Sequence, residues 1–175
     1  MARNAVPFHP IIFLLALLLA CGAGACTRPA ADDPVRPEGL ASARVERVVD
    51  GDTAVVVLAD GATERLRFIG IDTPESVHPD ASKNVPYGEV ASAYTKGRLE
   101  GLDVSLEFDA EERDQYGRLL AYVWVDDELF NLTLLREGHA TVTTYPPNVK
   151  YVDLFTAAQS EAREAGRGLW AEAAG

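Results

Sequence analysis

Apolar and polar residues alternate in short runs along the middle of the chain, and Gly, Asp and Pro punctuate the runs. Residues 43–49 interleave Val45, Val48 and Val49 with Arg44, Glu46 and Arg47, which predicts a first strand. Asp50-Gly51-Asp52-Thr53 breaks it, and Asp-Gly is a strong short turn signal. Residues 54–58 predict a second strand, Ala59-Asp60-Gly61 the next turn and residues 63–71 a third strand, in which Gly70 marks a bulge or a close backbone approach. The ladder cannot pass Pro74, which lacks an N–H and pushes Thr73 into an extended conformation.

A polar loop over residues 76–88 precedes a predicted helix at 89–100, with Val90, Ala93, Tyr94 and Leu99 assigned to its apolar face. Residues 103–108 predict a fourth strand, 109–114 an acidic loop and 119–125 a fifth strand. A short helix at 129–137 is closed by Gly138. Residues 140–145 are extended up to Pro146-Pro147, a last helix covers 151–165, and Trp170 packs the tail back. Five strands with a helix between the third and fourth is the order of an OB-type barrel. The expected class is therefore α+β with a mainly β core, a five-stranded barrel packed with about three helices.

The first residues read differently. Behind Arg3, residues 11–20 are an unbroken apolar run, the length of a signal-peptide core and too short to span a membrane. Residues 1–20 are thus expected to be a signal peptide. Its end, Leu18-Leu19-Ala20-Cys21, resembles the lipobox of bacterial lipoproteins, which implies a lipidated Cys21 and an exported, membrane-anchored protein. Cys26, after Ala23-Gly24-Ala25, is a second candidate, and ordinary secretion with a Cys21–Cys26 disulfide is the alternative. Residues 21–42, with Pro29, Pro34 and Pro37, are expected to be a flexible linker before a folded domain at 43–172, which acts as a monomer.

Charge narrows the function. With 47% hydrophobic residues the 175-residue chain has enough apolar surface for one core. Its formal charge of −11 excludes binding nucleic acid by bulk electrostatics. Any such binding must be local, through a few arginines and a metal. Candidate groups cluster around the end of the third strand. Asp72, the Thr73 carbonyl and Glu75 are hard oxygen donors suited to Ca²⁺ or Mg²⁺, and Arg67 offers a fork for a phosphate. Asp-Thr-Pro-Glu is equally a helix start with its cap. Asp50 suits a plain hairpin turn, whereas Asp52 is an acid the turn does not need. An EF-hand is excluded, because its sixth position would be Val55 and its twelfth Gly61. If the first three strands curl together, the two acidic turns meet at one rim. His78 and His139 lack a carboxylate or Cys at ligand spacing and are read as structural or exposed.

Val-Asp-Gly-Asp-Thr (49–53), Arg67 followed by Asp72-Thr73-Pro74-Glu75, and Asp114-Gln115-Tyr116-Gly117-Arg118 occur in this order. Together with Tyr87-Gly88, Leu120-Ala121-Tyr122 and Gly168-Leu169-Trp170, they resemble the staphylococcal nuclease (thermonuclease) family over about residues 43–172. The resemblance implies an OB barrel and Ca²⁺-dependent hydrolysis of DNA and RNA. It implies Asp52, Asp72 and the Thr73 carbonyl as metal ligands and Glu75 as the general base. Arg67 and Arg118 would bind the scissile phosphate. Tyr116 would hydrogen-bond a phosphate or simply pack, and Tyr145 would stack on a base, with core packing the favoured alternative. Gln115 stands where the family type has lysine, and the acidic surface also departs from that type. Two other classes share parts of the pattern: a non-catalytic OB module and a surface lipoprotein with a structural calcium.

Overall fold

A computed structural model describes Met1 and residues 33–75 and 86–171. The described residues form eight strands and three α-helices: β1 (Ala41–Asp50), β2 (Thr53–Leu58), β3 (Thr63–Phe68), β4 (Ile71–Asp72), α1 (Pro86–Leu99), β5 (Asp103–Glu107), β6 (Leu119–Val125), β7 (Glu128–Leu129), α2 (Phe130–Arg136), β8 (Thr141–Val142) and α3 (Val152–Glu164). A short 3₁₀ turn, Gly168–Trp170, follows, with the Arg163 guanidinium 4.9 Å from the Trp170 ring centre. The lipobox, both cysteines, His78 and most of the polar loop lie outside the described residues. Residues 33–40 lie along the domain. Asp33 is ion-paired with Arg136, and Arg36 donates to Ser105 Oγ at 2.7 Å.

The main sheet runs β3-β2-β1-β5-β6, and β3 pairs again with β6 in parallel, so five strands close into a barrel of OB type. Closure needs curvature. β1 supplies it with register shifts between Val45 and Arg47 and between Val48 and Asp50, and it pairs β2 along its length and β5 at its start. Leu66, Phe68, Leu106, Tyr122, Trp124, Phe130 and Leu135 fill the interior. Glu107 is buried there and accepts from Trp124 Nε1 at 2.7 Å and Tyr151 Oη at 3.0 Å, with Lys150 paired to its other oxygen, so the acid is fully matched.

Two expectations need correction. The third strand does not reach Ile71. It stops at Phe68, and Gly70, at φ +80°, turns the chain out of the barrel. A Cβ on Gly70 would sit 2.7 Å from the Phe155 ring, so only glycine allows this approach. Asn131 satisfies the backbone at the break, donating to the Ile69 carbonyl at 2.9 Å and accepting from Val123 N at 2.8 Å. The short β4 then pairs with β8, Ile71 opposite Val142 and Asp72 opposite Thr141. Asp72 is thereby fixed at the rim instead of following the barrel wall.

The second correction concerns α1. Its buried positions are Gly88, Ala91, Thr95 and Leu99, at spacings of three and four, whereas Val90 and Ala93 are exposed. The polar Thr95 is inside because its hydroxyl donates to the Gly51 carbonyl at 2.7 Å. Hydrophobicity alone picks the neighbouring face. His139 is structural as read: its Nδ1 is 3.0 Å from Tyr87 Oη, its ring lies 4.2 Å from the Tyr94 ring centre, and burial pushes its pKa down.

Candidate active site

The two acidic turns meet at one rim. The β1–β2 turn brings Asp52 beside the chain leaving β4, and Asp52 Oδ2 accepts from Thr73 N at 2.8 Å and Thr73 Oγ1 at 3.1 Å. Its Oδ1 accepts from Thr53 Oγ1 at 2.9 Å. Gly51 makes the contact possible, since a Cβ there would lie 2.7 Å from Thr73 Oγ1. Asp52 is only 6% exposed, so its orientation is set by these bonds rather than by solvent.

Arg67 links both carboxylates. Its Nη1 is 3.0 Å from Asp52 Oδ2, and its Nη2 is 2.8 Å from Asp72 Oδ1. Nη1 also donates to the Ile71 carbonyl at 2.9 Å, which ties the guanidinium to the turned-out β4. Two carboxylates facing one guanidinium leave net negative charge, and Asp50 lies within electrostatic reach. The Asp72 carboxyl is raised above its ordinary pKa, first by burial. Arg67 opposes the rise, and Asp52 and Asp50 add to it. Asp52 Oδ2 is taken up by Thr73 and Arg67, whereas Oδ1 accepts only from Thr53 Oγ1 and keeps room for a further partner. The two carboxylates and the Ile71 carbonyl converge on the Arg67 guanidinium, and among the described residues no group of three or more His, Cys, Asp or Glu side chains is placed to hold a metal ion. Glu75, exposed, follows Pro74 as the last described residue before position 86.

A second group gathers around a cleft of about 420 Å³ beside this rim. Arg67, Arg118, Tyr116 and Tyr145 all line it, together with Gly70, Asp114, Gln115 and Asn148. Both tyrosines are exposed, Tyr116 by 76% and Tyr145 by 74%, which overturns core packing for either. Their rings stand where a flat ligand can reach them. Arg118 is held by Asp114, whose Oδ2 takes Arg118 Nε at 2.6 Å while Oδ1 takes the backbone N–H groups of Tyr116 and Arg118 at 2.9 Å. Burial raises the Asp114 pKa, but these bonds outweigh it and the net shift is downward, so the carboxylate stays ionised. Arg118 keeps its Nη groups out of any hydrogen bond with the described residues, and its Cζ lies 5.6 Å from the Tyr116 ring centre.

Sequence reasoning passed over Asp114 and Asn148. Asp114 carries a signal, because an acid four residues before an arginine within a Gly turn can cap that turn. Asn148 carries none. Its side chain grips the loop opposite by accepting from Glu111 N and donating to the Glu111 carbonyl, both at 2.8 Å. It thereby couples the loop of Tyr145 to the loop that leads into Tyr116.

Residues 65–172 match the family model described as staphylococcal nuclease homologue. The chain belongs to the staphylococcal nuclease family. It is 49% identical over 126 residues to a thermonuclease of Staphylococcus intermedius, spanning 72% of this chain and 74% of that one. It is 44% identical over 142 residues to a thermonuclease of Staphylococcus hyicus, spanning 78% and 83%. Endonuclease YncB of Bacillus subtilis is 40% identical over 135 residues, or 76% of this chain and 63% of that one. The closed five-stranded barrel with three helices is the architecture expected of a staphylococcal nuclease homologue. No described helix is long and apolar enough to cross a membrane.

Proposed function

We propose that this chain, a nuclease by family, hydrolyses phosphodiester bonds of DNA and RNA with Ca²⁺ as its metal. The reading rests on one observation above the others. Arg67, ion-paired with both Asp52 and Asp72, lines the same cleft as Arg118. Asp52, Asp72 and the Thr73 carbonyl would hold the ion. Calcium, when bound, supplies Lewis acidity toward a phosphoryl oxygen and lowers the pKa of a coordinated water.

The protein groups divide the remaining work. Attack of water on phosphorus forms one P–O bond, breaks the bond to the leaving sugar oxygen and places negative charge on the equatorial oxygens. Arg118 and Arg67 oppose that charge, and both gain more in the transition state than in the ground state. Glu75 takes the proton from the attacking water at its carboxylate, and solvent protonates the leaving oxygen. Tyr145 stacks on a base, and Tyr116 borders the phosphate. Asp114 is a positioning residue, because it fixes the Nε edge of Arg118 and leaves the Nη edge toward the cleft.

Calorimetry tests the metal assignment. Asp52→Asn and Asp72→Asn should each weaken Ca²⁺ binding, because each removes a formal charge from the ligand set. Wild-type affinity in both variants would mean that the ligands are misassigned. Asp52→Asn needs a folding control by circular dichroism, since this buried residue also anchors Thr73.

We also propose export and membrane anchoring through Cys21, on the strength of the apolar run ending in Leu18-Leu19-Ala20-Cys21. Mass spectrometry of membrane-extracted protein should find an acylated N-terminal Cys21. An unmodified Cys21, or a mature chain starting elsewhere, would refute it.

A further inference from the structure

Arg65 has no role in the site described so far. It lies on β3 between Leu66 and Glu64, and the alternation of the strand puts Thr63, Arg65 and Arg67 on the face opposite buried Leu66 and Phe68. Its guanidinium is exposed and makes no hydrogen bond or ion pair with the described residues. It lines an open groove of about 510 Å³ with Thr63, Glu64, Tyr116, Gly117 and Arg118. Tyr116 and Arg118 also line the cleft of the proposed reaction, so the two depressions share one wall.

The two acids nearest this groove, Glu64 and Asp114, are each ion-paired with an arginine, and Glu112 lies within electrostatic reach of Arg113. Glu64 is held bidentately by Arg113, at 2.7 and 3.0 Å, and Arg113 also donates to the Gly117 carbonyl at 2.9 Å. Asp114 is matched to Arg118. Among the groove's lining residues Arg65 carries a positive charge with no ion pair, on a chain of net charge −11. An anion is therefore favoured here although the protein as a whole repels anions.

We propose that this groove is a second phosphate subsite, in which Arg65 binds the phosphate adjoining the scissile one in a single-stranded nucleic acid. The inference rests on the nuclease reading above and deepens it. Two residues along a strand advance about 6.6 Å, close to one backbone step of an extended single strand. The backbone positions of Arg65 and Arg67 are thus spaced near the repeat of the ligand's own charges. Tyr116, 76% exposed, lines both depressions and offers its ring to a nucleotide that spans them. Thr63 adds a hydroxyl on the same face of the strand.

Binding of a fluorescent oligothymidylate of roughly ten nucleotides, a length spanning such a groove, tests this in EGTA so that nothing is cleaved. The slope of log affinity against log salt should be shallower by about 0.7 in Arg65→Gln than in wild type, the value for one phosphate contact on a single strand. Arg65→Lys keeps the charge and should restore the slope. A wild-type slope in Arg65→Gln, or no measurable binding by the wild type, overturns the subsite. Failure of the nuclease reading looks different: the wild type would then cleave nothing in Ca²⁺, whatever the slopes. Arg65 is exposed and unbonded, so its variants are expected to fold, and circular dichroism verifies this.

Discussion

Glu75→Gln should lower kcat on single-stranded DNA by roughly 10²- to 10⁴-fold, the usual worth of a positioned acid–base group, with little change in KM. Such a loss corresponds to about 3–5 kcal/mol of transition-state stabilisation. The competing effect is electrostatic and opposite in sign, because removing an exposed carboxylate eases the approach of a polyanion. Exposed charge interactions are worth about 1 kcal/mol or less, so the catalytic loss should dominate in an enzyme. A binding module would show only the second effect, as tighter binding with no turnover to lose. Glu75 is exposed beyond Pro74, and circular dichroism verifies that the variant folds. A folded Glu75→Gln protein that cleaves as fast as wild type would remove Glu75 from the mechanism.

Arg118→Lys should cost roughly 10²-fold in kcat, similar to the loss of one preorganised donor to a developing oxyanion. The charge survives, but the planar fork and its Nε bond to Asp114 do not. The ammonium cannot be oriented by Asp114 at one edge and present two further N–H groups at the other. Because the charge is kept, the salt dependence of substrate binding should stay near that of wild type. That combination separates loss of geometry from loss of attraction. Equal weakening of KM and preserved kcat would place Arg118 in ground-state binding alone.

Most of the barrel was readable because its turns carry strong local chemistry. Asp50-Gly51 and Asp60-Gly61 mark the first two hairpins, and the alternation between them is regular. The end of β3 was legible only in part. Gly70 announces a break, but its consequence depends on Phe155, more than eighty residues away in the chain. The buried face of α1 was misread for the same reason. Thr95 is inside because of a carbonyl on the β1–β2 turn, and no helical periodicity contains that partner. Tyr145 was expected to pack, as apolar rings usually do, yet the Asn148 contact to Glu111 holds its loop against the cleft and leaves the ring exposed.

The meeting of the two acidic turns followed from the curl of β1 to β3, and the Asp52–Thr73 bonds are its physical form. The link that Arg67 makes between Asp52 and Asp72 was not legible. It arises because the chain leaves the barrel at Gly70 and returns Asp72 beside the strand that carries Arg67. The Asp114 clamp on Arg118 lay within the motif itself, at a spacing of four, and is the part of the site that local reasoning could have reached.

Cleavage of single-stranded DNA by the purified protein, in Ca²⁺ and then in the same buffer with EGTA, tests the central claim most directly. The account predicts turnover in Ca²⁺, its disappearance in EGTA and its return when excess Ca²⁺ is added back. Cleavage that continues undiminished in EGTA, or a folded protein that cleaves nothing in Ca²⁺, would contradict it.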